Sequence, residues 1–158
     1  MLPKAQPILM SFEYSRIKDP GYFAENREPA HSDHIACASL AELEAGESSL
    51  RTSLNGYWKF HHAMNEGQVI PGFEATDFDC HSWDNIAVPA HIQMEGYGVP
   101  HYCNTQYPWD GYQDVEIGEI PEEYNPVASY VRYFYLPESM KGQRVFVSFQ
   151  GAESCIAL

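Results

Sequence analysis

Ser53-Leu54-Asn55-Gly56-Tyr57-Trp58-Lys59-Phe60-His61 is where this sequence first acquires a regular period. Asn55-Gly56 is a turn signal, since glycine reaches positive φ freely and asparagine tolerates it. Beyond the turn, large rings alternate with polar groups at a period of two, which reads as a strand. The same texture returns in Ser129-Tyr130-Val131-Arg132-Tyr133-Phe134-Tyr135-Leu136 and in Arg144-Val145-Phe146-Val147-Ser148-Phe149, with Pro137 to Gly142 turning between them. Two antiparallel strands joined by a short connection are expected there. Asn85-Ile86-Ala87-Val88 is a shorter strand that Pro89 ends, because proline has no N–H to give a ladder. A further apolar segment opens at Gly151 and stops inside itself at Leu158. The class is all-β, and a β-sandwich must cover both sheets to bury its inner faces, so the sandwich is expected to be incomplete at the C-terminus.

Residues before this region have a different character. Pro3, Pro7, Pro20, Gly21 and Pro29 break every would-be element between residues 1 and 50, which read as an extended N-terminal arm, with residues 51–158 forming the β part. One short helix is expected within the arm. Ser39 and Glu42 stand three apart in a capping-box pattern, good helix formers follow, and Gly46 is a stop. Residues 65–72 read as loop and 78–83 as a connection. Residues 90–126 are rich in Gly, Pro, Tyr and acids without a period, and a loop that long is usually functional or mobile.

Charge and composition remove several classes of partner. The 158 residues carry 9 Lys plus Arg against 22 Asp plus Glu, so 9 − 22 gives −13. Phosphate binding is driven by clustered cations and counterion release, so neither nucleic acid nor an anionic membrane is an expected partner. No stretch approaches the roughly 18 to 20 apolar residues of a membrane span, and Pro3 and Pro7 interrupt what little resembles a leader. Cys37, Cys80, Cys103 and Cys155 are widely spaced with no CxxC pair, so free thiols in a reducing cytoplasm are expected. Aromatics make up 14% of the chain, a hint of sandwich packing or sugar stacking.

The familiar chemical constellations give little. His31 and His34 have helical metal spacing with Cys37 three residues on, but Ser32, Asp33 and a nearby proline argue for a solvated arm. His61 and His62 are strand neighbours that point to opposite faces. Asp110, Asp114, Glu116, Glu119, Glu122 and Glu123 lack the ligand pattern and central glycine of a calcium loop and read as a solvated acidic loop. Glycoside hydrolysis needs two carboxylates, and nothing singles out a pair. Nucleophile-elbow, dinucleotide and NTPase motifs are absent from the sequence.

Two strings are less ordinary. One is Ser53 to Phe60, quoted above. The other is Val88-Pro89-Ala90-His91-Ile92-Gln93-Met94-Glu95-Gly96-Tyr97-Gly98-Val99-Pro100-His101-Tyr102-Cys103-Asn104-Thr105-Gln106-Tyr107-Pro108. They occur after an arm carrying Asp19-Pro20-Gly21 and Asn26-Arg27, and before Asn125-Pro126 and a strand ending Phe149-Gln150-Gly151. In that order they resemble the N-terminal sugar-binding domain of the large, cytoplasmic-type β-galactosidases of glycoside hydrolase family 2. The first string alone also suits β-glucuronidases and β-mannosidases, and the second selects galactosidase.

The resemblance implies a jelly-roll, galactose-binding-like β-sandwich packed on a TIM barrel that supplies both catalytic glutamates, so no catalytic residue is expected here. It implies a retaining hydrolysis of terminal β-galactosides such as lactose, a β-galactoside as ligand, a homo-oligomer at full length, and an isolated chain without activity. Asn104 matches the asparagine that helps hold the galactosyl unit, a task an amide suits because it donates and accepts without charge. Its bland alternative is a loop cap through its own backbone. Tyr102, Tyr107 and Trp109 surround it; packing is favoured for Tyr107, while Trp109 either walls the sugar site or packs the loop. Mg2+ and Na+ are implied for the full-length enzyme with their main ligands downstream. Arg16 stands where an acidic magnesium ligand is expected, so no metal is assigned to this chain. The other class weighed is a non-catalytic carbohydrate-binding module.

Overall fold

The computed structural model describes residues 12–100, 104 and 106–158. The chain divides into two compact units. One runs through Glu25 and takes in Asn55–Arg132, and the other comprises Asn26–Leu54 and Tyr133–Leu158.

The first unit is built on a three-stranded antiparallel sheet. Its strands are β1 (Gly56–Ala63), β2 (Asp84–Val88) and β3 (Val127–Val131), in the order β2-β1-β3. The alternating run is therefore the central strand, hydrogen-bonded on both sides. Trp58 pairs with Ile86, and Phe60 pairs with Asp84 on one side and Tyr130 on the other. Cross-strand partners share a face, so Trp58, Phe60 and His62 stand with Ile86 and Tyr130. The Phe60 ring meets Tyr130 at 4.9 Å and Tyr97 at 4.6 Å, both edge-on, the arrangement that ring quadrupoles favour. Phe60 and Ile86 are each only 1% exposed. On the opposite face Trp83 gathers His61, Phe73 and Phe78 at centroid distances of 5.3, 5.7 and 5.5 Å. The Lys59 ammonium on that face donates to the carbonyls of His81 and Trp83, each at 3.1 Å.

Two expectations for strands need correction. The segment 129–136 is ladder only as far as Val131, and its partner is β1 rather than residues 144–149. Residues 144–149 form no strand, and Val145, Phe146, Val147 and Phe149 are exposed. Alternation marks a backbone suited to a sheet, but a strand exists only where a neighbouring row accepts its N–H groups and something covers one face. Among the described residues nothing does either for 144–149.

In the second unit, α1 (Leu40–Ala45) follows the rules read in the sequence. The Ser39 hydroxyl accepts the Glu42 N–H at 3.2 Å, and Gly46 closes the helix at φ +70°. The Glu42 carboxylate reaches back to the N–H of Ala38 at 2.8 Å rather than to the cap residue itself, and takes the Ser49 N–H at 3.3 Å. Arg144 and Glu28 form an ion pair at 3.1 Å, and Ser139 donates to the Ser49 carbonyl at 2.8 Å. Of the expected arm, residues 1–11 lie outside the described residues. Tyr14–Lys18 is a single-turn 3-10 helix that the broken composition did not foretell. Among the described residues no helix is long and apolar enough to cross a membrane.

Candidate functional site

The long periodless stretch is organised by turns against the end of β1. Its far end is pinned: Asn125 donates its N–H to the Met64 carbonyl at 3.0 Å, and the Asn65 amide donates to the Glu123 carbonyl at 3.3 Å. The Gln113 side-chain oxygen accepts the N–H groups of Glu123 at 2.6 Å and Tyr124 at 3.4 Å, while Tyr112 and Tyr124 stack in parallel at 4.0 Å. These contacts tie the neck of the acidic loop. Asp114, Glu116, Glu119, Glu122 and Glu123 are exposed, and Glu119 pairs with Lys18.

The near end of the stretch is a second knot. His91 to Tyr97 close on themselves: the N–H of Met94 bonds to the His91 carbonyl at 2.9 Å, and those of Glu95 and Tyr97 both bond to Ile92 at 3.1 Å. Tyr97 turns inward, rests on Phe60, lies 6.0 Å from the His62 ring, and donates its hydroxyl to Asp84 Oδ2 at 2.9 Å. Partial burial first, then the Asp84 bond, holds its phenol above the ordinary value. Gly98 follows at φ +66°. A Cβ there would sit 3.9 Å from His62 Nε2, an ordinary contact, so the backbone angle rather than space requires glycine. Phe60, His61, His62, Ile70, Ser82, Trp83, Asp84 and Tyr97 line a cavity of about 400 Å3. Burial, and secondarily His61, holds the His62 imidazole below its ordinary value.

Between these knots lies the segment expected to hold sugar. Tyr102 and Cys103, singled out in the sequence, lie outside the described residues. Asn104 is exposed at a bend, and no hydrogen bond joins its amide to another described residue. Tyr107 and Trp109 stack in parallel at 4.9 Å and 4°. Asp110 accepts the Tyr107 N–H at 2.9 Å, and Tyr112 donates its N–H to the Trp109 carbonyl at 2.9 Å, which sets the turn. Among the described residues Tyr107 packs its ring on Trp109, and it is 67% exposed.

The remaining candidates scatter. His31 and His34 are exposed, and each directs Nδ1 at the Ser32 carbonyl, at 2.9 and 3.3 Å. The thiol of Cys37 donates to the Glu47 carbonyl at 3.6 Å, and among the described residues Cys37, Cys80 and Cys155 form no disulfide. His61 and His62 do face opposite ways, toward Trp83 and Tyr97 respectively. In the arm, Arg16 donates to Glu25 and Tyr22 at 2.7 Å each and to Glu13 at 3.3 Å, and Tyr22 also donates to Glu25. The Glu13 and Glu25 carboxylates are engaged by the Arg16 guanidinium, and among the described residues no three His, Cys, Asp or Glu side chains converge. The residues that sequence reasoning passed over are Tyr97 and Asp84. Their one signal was the pair of glycines flanking Tyr97, which frees the backbone to turn a ring inward.

The family described as "Glycosyl hydrolases family 2, sugar binding domain" matches residues 51–158. Over 141 residues the chain is 49% identical to a protein named beta-galactosidase from Halalkalibacterium halodurans, covering 89% of this chain and 14% of that one. It is 46% identical over 140 residues to a beta-galactosidase of Streptococcus thermophilus, again 89% of this chain and 14% of the relative. A beta-galactosidase large subunit of Latilactobacillus sakei is 38% identical over 149 residues, 87% of this chain and 24% of that subunit. The chain thus spans a seventh to a quarter of the length of these curated relatives.

Proposed function

The chain belongs to the family of glycosyl hydrolases family 2 sugar-binding domains, and from that premise we propose that it is the sugar-gripping N-terminal part of a β-galactosidase. The sheet β2-β1-β3 then forms part of a jelly-roll sandwich, which a TIM barrel elsewhere in the polypeptide adjoins. That barrel supplies the two carboxylates of a retaining glycosidase, one as nucleophile and one as acid and then base. The chain by itself is inactive, and it acts at full length, in a cytoplasmic homo-oligomer.

Asn104 carries the reading. It is exposed at a bend, in a chain matched over 89% of its length by a beta-galactosidase. Its NH2 donates to a galactosyl hydroxyl while its carbonyl accepts from a neighbouring one, so the sugar is oriented without added charge. Trp109, stiffened by its stack on Tyr107, offers a flat apolar face to the C–H side of the ring. Mg2+ and Na+ serve the full-length enzyme through ligands outside this chain.

The test is Asn104→Ala in the complete enzyme, assayed on a chromogenic β-galactoside. Loss of a hydrogen-bonding group that holds substrate lowers kcat/KM about ten- to a hundredfold. Unchanged turnover would remove Asn104 from the sugar site.

A further inference from the structure

The ladder between β1 and β2 stops before β1 does. β2 pairs only with Gly56–Phe60, while β1 continues to Ala63, so among the described residues the edge from His61 to Ala63 has no strand on that side. The cavity of about 400 Å3 opens there, and residues from both faces of the sheet reach it. That volume lies within the span of small-ligand sites, roughly 300–1,000 Å3. Two of its lining residues carry a ring nitrogen that is buried and has no hydrogen-bond partner among the described residues, Nδ1 of His61 and Nε2 of His62. Buried polar atoms are paired in the great majority of native sites, so two orphans beside one cavity mark a place where another molecule supplies the bonds. Asp84 and Ser82 add oxygen to the same wall. The Tyr97 hydroxyl donates to Asp84 Oδ2 at 2.9 Å, which fixes the carboxylate and leaves Oδ1 as an acceptor, and the Ser82 hydroxyl both donates and accepts. Phe60, Ile70 and Trp83 supply the apolar part.

These groups select the chemistry of what they receive. Asp84 repels an anion. An ammonium has donors only, so it pairs with Asp84 but leaves the imidazole and Ser82 donors unmet. Burial, and secondarily His61, keeps the His62 ring neutral, so its nitrogens donate and accept without charge. Hydroxyls do both as well, and in a vicinal pair one donates to the carboxylate while its neighbour meets the uncharged donors. We infer that this cavity binds a neutral polyol of monosaccharide size, its hydroxyls received by Asp84, Ser82, His61 and His62 and its C–H groups by the apolar wall. None of these residues belongs to the segment proposed to grip the galactosyl unit.

The probe is myo-inositol, a neutral cyclic polyol without a glycosidic bond, titrated into the complete enzyme and followed by saturation-transfer difference NMR. Cyclohexanol, cyclohexylammonium and galacturonate serve as single-hydroxyl, cationic and anionic comparisons. Ser82→Ala deletes one hydroxyl, and His62→Phe keeps a ring beside Phe60 and Tyr97 while deleting both nitrogens. Each is expected to weaken myo-inositol binding about tenfold with the thermal midpoint unchanged. Ser82 is exposed, so its variant keeps the fold even where the ring exchange does not. The three comparison compounds are expected to show no binding that these variants remove. Absence of saturation transfer to myo-inositol overturns the site. Transfer that Ser82→Ala and His62→Phe leave intact overturns it as well, because the polyol then sits elsewhere on the enzyme. If the variants instead abolish binding of cyclohexylammonium or galacturonate and spare myo-inositol, the assignment of a neutral polyol is wrong.

Discussion

Residues 56–63 and 144–149 carry the same kind of pattern and meet opposite fates. Both alternate large apolar side chains at a period of two. The first becomes the centre of a sheet with Phe60 at 1% exposure, while in the second Phe146 is 58% exposed and no ladder forms. The difference does not lie in propensity, since Arg144 to Phe149 is the richer in β-branched and aromatic residues. It lies in partners: β1 receives hydrogen bonds from β2 and β3 on its two edges, whereas 144–149 has a neighbouring row on neither edge among the described residues. A period of two is permission to be a strand, and pairing grants it.

The contrast can be broken most directly by removing one ring from each region. Phe60→Ala leaves a cavity beneath Tyr97 and Tyr130, and loss of a buried Phe costs about 3–5 kcal/mol. Phe146→Ala removes a ring that is already largely in water and should stay within about 0.5 kcal/mol. Urea unfolding followed by tryptophan fluorescence measures the first, because Trp58, Trp83 and Trp109 all lie in the sheet unit, and circular dichroism over the same urea series measures the second. Comparable losses from the two variants would mean that 144–149 is covered in solution.

A smaller effect probes the second unit through its helix. Ser39→Ala deletes the side chain that accepts the Glu42 N–H, and loss of such a cap costs about 1 kcal/mol. Circular dichroism at increasing urea should show the helical signal lost earlier, with Ser39→Asp close to the parent because aspartate caps equally well. An unaltered midpoint for Ser39→Ala would show that α1 draws its stability from elsewhere in its unit.

What the sequence made legible follows the range of the interactions. The cap at Ser39, the stop at Gly46 and the end of β2 before Pro89 are settled within a few residues, so local rules reached them. β1 was legible because its apolar period survived in a central strand with both faces covered. The limit of β3 at Val131 and the absence of a strand at 144–149 were not, since each depends on a partner far away in sequence. The Tyr97–Asp84 bond escaped for the same reason: a loop tyrosine and a strand aspartate thirteen residues apart have no pattern that joins them. Asn104 stood out only through the family resemblance, because a lone asparagine in a loop has no signature of its own.

The weakest lever separates the two units by pH, and its sign follows from two shifted groups. In the sheet unit, burial and then His61 hold the His62 imidazole below 6.5. Tyr97 faces it from the loop, and Asp84 lines the same cavity. Below pH 6.5 the unfolded chain binds a proton that the folded one refuses, so stability from this group is full above 6.5 and declines as pH falls below it toward the lower folded value. In the second unit, hydrogen bonds from Ser49 and then from the Ala38 N–H hold the Glu42 carboxyl below 4.5. Its contribution is present above 4.5 and is lost only as pH falls through its lower folded value. Tryptophan fluorescence should therefore register weakening as pH falls from 6.5 toward 4.5, where the helical signal of α1 is still unaffected. His62→Gln, which cannot take up a proton, should flatten the fluorescence slope in that window and leave the behaviour below pH 4.5 as it was. A slope that survives His62→Gln would assign the titration to another group in the sheet unit and remove this imidazole as the source of the difference between the two regions.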